Sequence, residues 1–203
     1  MMKAKKIGLF WIFFIAVSSL WAQDSPVPML EHSANQIIAT LKQNKSKLKN
    51  DHHIIYQAVE RHLLPNVDVV GMSRSVLGRE AWLKATAAEK AEFTKVFTKL
   101  VIRTYANPLA EYNNETVRFL PQRGGNEQHF TRVNSIITRG NGQTIPMSYS
   151  LVAIGNSWKI YDLSVEGVSL LQSFRSQFTG ILHHSSMKEL ISEMRKNPKV
   201  RSS

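Results

Sequence analysis

The apolar residues of this chain change their spacing twice, and those changes fix the order in which layers can form. From Pro28 to Tyr112 they recur every three or four residues. From Glu115 to Val165 they recur every second residue, and from Leu170 the helical spacing returns. Helices, then strands, then helices predict an α+β protein that is rich in helix. Its antiparallel sheet of about four strands must bury an apolar face against helices from both ends of the chain.

Within the first block, "PMLEHSANQIIATLKQNKSKL" (28–48) places Met29, Leu30, Ala34, Ile37, Ile38, Leu41 and Leu48 on one face, with lysines on the other. A second helix is predicted from Asp51 to Leu64, with Asp51 as its cap, Ile54, Ile55, Val59 and Leu63 inward, and Pro65 as its stop. "NVDVVGMSRSVLG" (66–78) predicts a helical turn or two ended by Gly78. Thr86-Ala87-Ala88-Glu89 is a capping box: the threonine oxygen can accept from the Glu89 amide while the glutamate reaches back. A long helix follows, with Phe93, Val96, Phe97, Leu100, Val101, Tyr105, Leu109 and Tyr112 at helical spacing and Pro108 expected to kink or shorten its end.

The strand block reads "ETVRFL", "QHFTRVNSIITR", "TIPMSYSLVAIG" and "SWKIYDLSV", separated by "QRGGNE", "RGNGQ" and "GNS". Met147, Tyr149, Leu151 and Ala153 share one face of the third strand, while Val152 and Ile154 make the other partly apolar, so both faces are expected to be covered. Leu170, Leu171, Phe174, Phe178, Ile181 and Leu182 then form a helical stripe. Ser186 and Glu189 make a second capping box ahead of Leu190, Ile191 and Met194.

The chain opens with Lys3, Lys5 and Lys6, an apolar run from Ile7 to Leu20, and "WAQD". That is the layout of a secretory leader, expected to be cut after Ala22, and the run is shorter than the roughly 20 residues a membrane-spanning helix needs. Residues 23–203 are then expected to form one domain, or two lobes sharing a core, in an exported and soluble protein. Its formal charge falls from +11 to +8 as three lysines and no acid leave with residues 1–22. An exported protein of that charge suits anionic membranes or acidic proteins, not nucleic acid. With no cysteine there are no disulfides and no thiolate chemistry.

Catalytic signals are few. His52-His53 and His183-His184 are adjacent pairs whose side chains diverge, without an acid at ligand spacing, so no metal is expected. No G-x-S-x-G elbow is present. "GG" at 124–125 and "GNG" at 140–142 read as hairpin turns, not phosphate loops. Asp162 and Glu166 could serve as an acid/base pair acting on a small hydrophobic substrate if the fold aimed them into a pocket. The structural alternative is that Glu166-Gly167 turns the chain and Asp162 pairs with an arginine on a neighbouring strand.

Several segments together resemble one family. Pro65, Asp68 and Met72 stand in "PNVDVVGM", Leu77-Gly78 precedes Trp82, "TYA" spans 104–106, and "YDLSVEGVS" (161–169) leads into Arg175, Gln177 and Phe178. In this order they resemble the MlaC family of periplasmic phospholipid-binding proteins, also called the toluene-tolerance auxiliary component, from about Ile37 to Met194. The resemblance implies a curved NTF2-like sheet packed with helices around an apolar cavity for acyl chains, with phospholipid as cargo and no cofactor. It implies a periplasmic shuttle between an outer-membrane lipoprotein complex and an inner-membrane ABC transporter with an MCE-domain protein, which maintains outer-membrane lipid asymmetry. The lipid is expected among Phe97, Val101, Tyr105, Met147, Tyr149, Val165 and Val168, with Asp162, Glu166 and Gly167 shaping the rim. Arg74, Arg79, Arg103 and Arg175 are candidates for docking to acidic partner surfaces.

Overall fold

The computed structural model describes residues 25–121 and 129–196. The expected leader, the turn at Gly124-Gly125 and the polar tail from Asn197 lie outside the described residues. Within them the chain forms α1 (Val27–Gln43), α2 (His53–His62), α3 (Val69–Lys84) and α4 (Ala87–Ala106), then β1 (Thr116–Phe119), β2 (Phe130–Thr138), β3 (Thr144–Ile154), β4 (Ser157–Val165) and β5 (Val168–Ser169). The helices α5 (Leu170–Leu182) and α6 (Met187–Lys196) complete it. The helix, strand, helix order is the one read from the spacing. The expected sheet of about four strands is formed by β1 to β4, and the added β5 has two residues, too few to show a period.

Local chemistry sets most boundaries. Thr86 Oγ1 accepts from the Glu89 amide at 3.2 Å while the Glu89 carboxylate accepts from the Thr86 amide at 2.9 Å, which starts α4. Ser186 and Glu189 repeat the arrangement before α6. The boundaries of α1 and α2 differ from expectation. α1 ends at Gln43, and the following turns bring Leu48 back to be fully buried. Asp51 accepts from the His53 amide at 3.0 Å, one residue beyond the cap position of α2, which falls to His52. Gly78 ends the first helical stretch of α3 as expected: at φ +74° and ψ 165° its backbone is not helical, and beyond this kink a second stretch runs on to Lys84.

The sheet is antiparallel in the order β1-β2-β3-β4-β5. β2 and β3 pair in unbroken register from Phe130 opposite Val152 to Thr138 opposite Thr144. Between β3 and β4 the register slips: Ser150 faces Asp162 but Leu151 faces Ile160, leaving Tyr161 as the extra residue of a bulge that bends the strand.

Three buried clusters form among the described residues. Phe93 and Phe97 of α4 meet Phe174 and Phe178 of α5, with Phe97 edge-on to Phe174 at 5.3 Å, and Val76, Leu190 and Met194 close the group. Each such ring is worth about 1.5–3 kcal/mol of burial. Leu41, Leu48, Ile55, Ile102, Ala110 and Tyr112 tie α1 and α2 to the far side of α4. Leu30 of α1 covers Val133, Leu151, Trp158 and Ile160 of the sheet. α4 therefore packs among α2, α3, α5 and α6, while the sheet's main helical neighbours are α1, α3 and α5.

Candidate functional site

Cross-strand register assigns residues to sheet faces. Val117, Ile137 and Ile145 lie opposite one another across β1, β2 and β3. One pleat along, Phe119, Ser135, Met147 and Val165 do the same across four strands, and beyond them come Val133, Tyr149 and Leu163. All share a single face, whose two ends differ. At one end Val133, Leu151, Trp158 and Ile160 are buried under Leu30. At the other, Val117, Ile137, Ile145, Met147 and Val165 are half-buried and join none of the three clusters. Phe119 and Tyr149 sit between, their ring centroids 5.7 Å apart. The Tyr149 hydroxyl accepts from Ser135 at 3.3 Å, and burial pushes its pKa up despite that bond. The strip offers carbon, a thioether and two neutral hydroxyls, those of Ser135 and Tyr149 bonded to each other, which suits an apolar ligand.

The expected site residues from α4 separate along the helix. Phe97, at 2% exposure, is core. Val101, one turn on, is half-buried at the edge of the first cluster. Tyr105, expected on an apolar wall, is 40% exposed. Its hydroxyl is pushed up by partial desolvation and then by the negative charge of Asp162, which sets the last turn of α4 within electrostatic reach of β4. Val168, expected to turn inward, is 63% exposed, because β5 is a two-residue strand reversing at the sheet edge.

The two carboxylates take separate structural parts. Asp162 accepts from the Leu163 amide at 2.8 Å, the Ser169 hydroxyl at 2.7 Å and the Leu171 amide at 3.1 Å. Ser169 Oγ in turn accepts from the Gln172 amide, so Asp162 and Ser169 together satisfy the first free amides of α5. The arginine partner expected for Asp162 is replaced by these donors. Glu166 is exposed at φ +51° beside Gly167 at φ +84°, the paired positive values of a type I′ hairpin, and its amide donates to Pro146 at 2.9 Å. Asp162 is thus occupied by fixed donors and Glu166 stands on an exposed turn, which is no arrangement for shared acid/base work.

The expected site left out Val117, Phe119, Ile137 and Ile145. Ile145 stands two residues before Met147, so period two alone already puts it on that face; for Val117, Phe119 and Ile137, on other strands, only register shows that they extend the Met147–Val165 strip. Arg74 and Arg79 lie on α3, Arg103 on α4 and Arg175 on α5, so the proposed docking cations are spread over three helices. Among the described residues no three His, Cys, Asp or Glu side chains are grouped to hold a metal ion.

Residues 31–196 match the sequence model of a family described as MlaC protein. The chain is 29% identical over 164 residues to the toluene tolerance protein ttg2D of Pseudomonas putida, covering 81% of this chain and 76% of that one. It is 28% identical over 188 residues to the intermembrane phospholipid transport system binding protein MlaC of Haemophilus influenzae, covering 91% and 87% respectively. Its fold is similar, with a TM-score of 0.77 and 25% identity, to a phospholipid-binding protein from Ralstonia solanacearum solved in complex with a phospholipid, covering 87% of this chain and 96% of that one.

Proposed function

The chain belongs to the MlaC family, and we propose that it is a periplasmic carrier of glycerophospholipid, not an enzyme. The observation that carries this reading is the half-buried apolar strip through Ile145, Met147 and Val165, which lies outside the clusters of buried side chains in a fold similar to that of a phospholipid-bound protein. Val101, Met147, Tyr149 and Val165 would line the acyl chains, with Tyr105 at the mouth. Phe97 would support them from the core, and Val168, opposite Val165 but exposed, would lie at the water-facing edge. The commitment of Asp162 to capping α5 supports binding without bond cleavage.

Energetics define such a carrier. Each methylene removed from water is worth about 0.8 kcal/mol, so two acyl chains of about fifteen carbons gain roughly 20 kcal/mol gross against water. Ordering costs reduce that figure, yet escape into water stays negligible. Exchange between a bilayer and an apolar site trades one hydrocarbon medium for another and can lie near equilibrium. Direction must then come from partners: an outer-membrane lipoprotein complex at one end, and an inner-membrane ABC transporter with an MCE-domain protein at the other. The leader-like N-terminus supports export, the +8 charge that remains without residues 1–22 supports docking, and among the described residues no helix is long and apolar enough to cross a membrane.

Native mass spectrometry of protein purified from cells tests the reading. The expected result is a mass increment that lipid extraction identifies as phospholipid, without strong headgroup preference. Protein that carries no phospholipid, and takes none from liposomes, overturns it.

A further inference from the structure

A second feature lies away from the sheet, where α1 and α2 pack together. Thr40 of α1, Asn44 just after it, and Ile54, Gln57, Ala58, Arg61 and His62 of α2 line an open cleft of about 200 Å³. Ile54 and Ala58 give it an apolar patch, and the rest of the lining is polar and free of carboxylate. Its donors are not all spent. Asn44 uses one amide hydrogen on the Thr40 carbonyl at 2.9 Å, and the Thr40 hydroxyl donates to the Gln36 carbonyl at 3.0 Å. Arg61 is exposed and forms no ion pair with a described residue.

The chain that leaves the cleft at Asn44 carries the densest cationic stretch of the described residues. Lys45, Lys47 and Lys49 are all exposed, and Lys42 precedes them in the last turn of α1. Leu48, fully buried between Lys47 and Lys49, pins this turn to the second cluster, and Lys45 Nζ donates to Asn113 Oδ1 at 3.0 Å. The lysines are therefore held on an anchored surface. Against Lys42, Lys45, Lys47, Lys49 and Arg61 stand the carboxylates of Asp51, Glu60 and Glu115, the last accepting from the Asn113 amide, so the surface keeps a positive excess.

We propose that the α1–α2 cleft and its lysine turn dock the protein on an anionic bilayer, with Arg61, Gln57 and Asn44 receiving one lipid phosphate. The guanidinium supplies the planar fork that matches phosphate oxygens, Ile54 and Ala58 accept the glycerol end, and the lysines meet neighbouring headgroups as point charges. A strip of several cations beside one donor-lined cleft fits a two-dimensional array of phosphates better than a single small solute. This surface lies on other elements than the apolar strip of the sheet, so docking and cargo binding are separable.

Flotation of the full chain with phosphatidylglycerol/phosphatidylcholine vesicles tests it, phosphatidylcholine vesicles serving as reference. Binding is expected for the anionic vesicles only, weakening as salt is raised. Arg61→Gln should lower affinity about fivefold and Lys47→Gln/Lys49→Gln about twentyfold, since each basic group near such a surface contributes about a factor of five. Arg61→Lys should fall between Arg61→Gln and the parent, because it keeps charge and loses the fork. Lys95→Gln/Lys99→Gln, an equal charge change on exposed positions of α4, should leave binding close to the parent. Equal loss in that control reduces the effect to net charge and overturns the site. So does protection by inorganic phosphate without vesicle binding, which marks a soluble-anion site, or binding to polyglutamate alone, which marks an acidic protein partner. Co-purified phospholipid should be unchanged in every variant. Its absence from the parent protein, with vesicle binding intact, counts against the carrier reading alone.

Discussion

Glu166 occupies the first central position of a type I′ turn at φ +51°, where a side chain with a Cβ costs about 1–2 kcal/mol and asparagine or glycine is preferred. Nothing in its contacts offsets that cost, because the turn's bond to Pro146 is made by the backbone amide. Glu166→Asn should therefore raise stability by about 0.5–1 kcal/mol, read as a higher denaturation midpoint with an unchanged slope. A fall instead would mean that the carboxylate is engaged. Asp162 behaves oppositely. Asp162→Asn keeps one acceptor oxygen where three donors now converge and removes the negative charge beside the start of α5. The expected loss is about 1–2 kcal/mol, with bound phospholipid retained in the folded protein. Loss of cargo from a fully folded Asp162→Asn would return the carboxylate to the binding site. The sequence showed both residues to be special without showing why. Glu166-Gly167 was legible as a turn because glycine's freedom is local. The partner of Asp162 was not, since it depends on how the β4–β5 reversal folds Ser169 and Leu171 back onto the carboxylate.

Elements were most legible where their signals lie within one helical turn. Both capping boxes formed as spelled in the sequence, and they carry a pH signature. Hydrogen bonds from Thr86 and Ser186 hold the Glu89 and Glu189 carboxyls below the ordinary value of 4.5. A carboxyl with a lowered folded pKa contributes its stability above the unfolded value and loses it as pH falls through the folded one. The first turns of α4 and α6 should thus lose hydrogen-exchange protection as pH drops below about 4.5. At neutral pH, Thr86→Ala should produce that loss at α4 while sparing α6. Uniform loss across all helices in acid would point to global unfolding instead. Gly78 was legible as the end of a helical stretch, because glycine's freedom is local, but the second stretch beyond it was not. Here Ala81 and Trp82, packed against the first cluster, make it worthwhile for the chain to resume. Strand register stayed out of reach for a related reason. Period two shows which residues of one strand share a face, but which of them lie beside Met147 depends on pairings set by turns and by the Tyr161 bulge.

At the scale of the whole molecule, the clusters that hold α4 to its neighbouring helices leave one end of a sheet face outside the core, and that end is where acyl chains are proposed to lie. Met147 and Val165 face each other on adjacent strands there, both half-buried. Met147→Glu or Val165→Glu puts a carboxylate into the strip. If the strip holds acyl chains, the group must be desolvated, neutralised or turned to water, at a cost of several kcal/mol to lipid affinity. Val168→Glu supplies the control that sequence alone could not have chosen. Val168 lies opposite Val165 across the β4–β5 pair, yet at 63% exposure a glutamate there stays in water. The expected outcome is that phospholipid per mole of folded protein falls at least tenfold for the first two variants and is unchanged for the third, circular dichroism and melting curves confirming the fold of each. Equal loading of all three would place the lipid elsewhere, while loss in Val168→Glu alone would move the binding surface to the outside of the β4–β5 turn. The comparison distinguishes a carrier whose cargo lies along the sheet from a protein in which the same strip is only loosely packed core, because core would lose stability with each glutamate without losing a ligand.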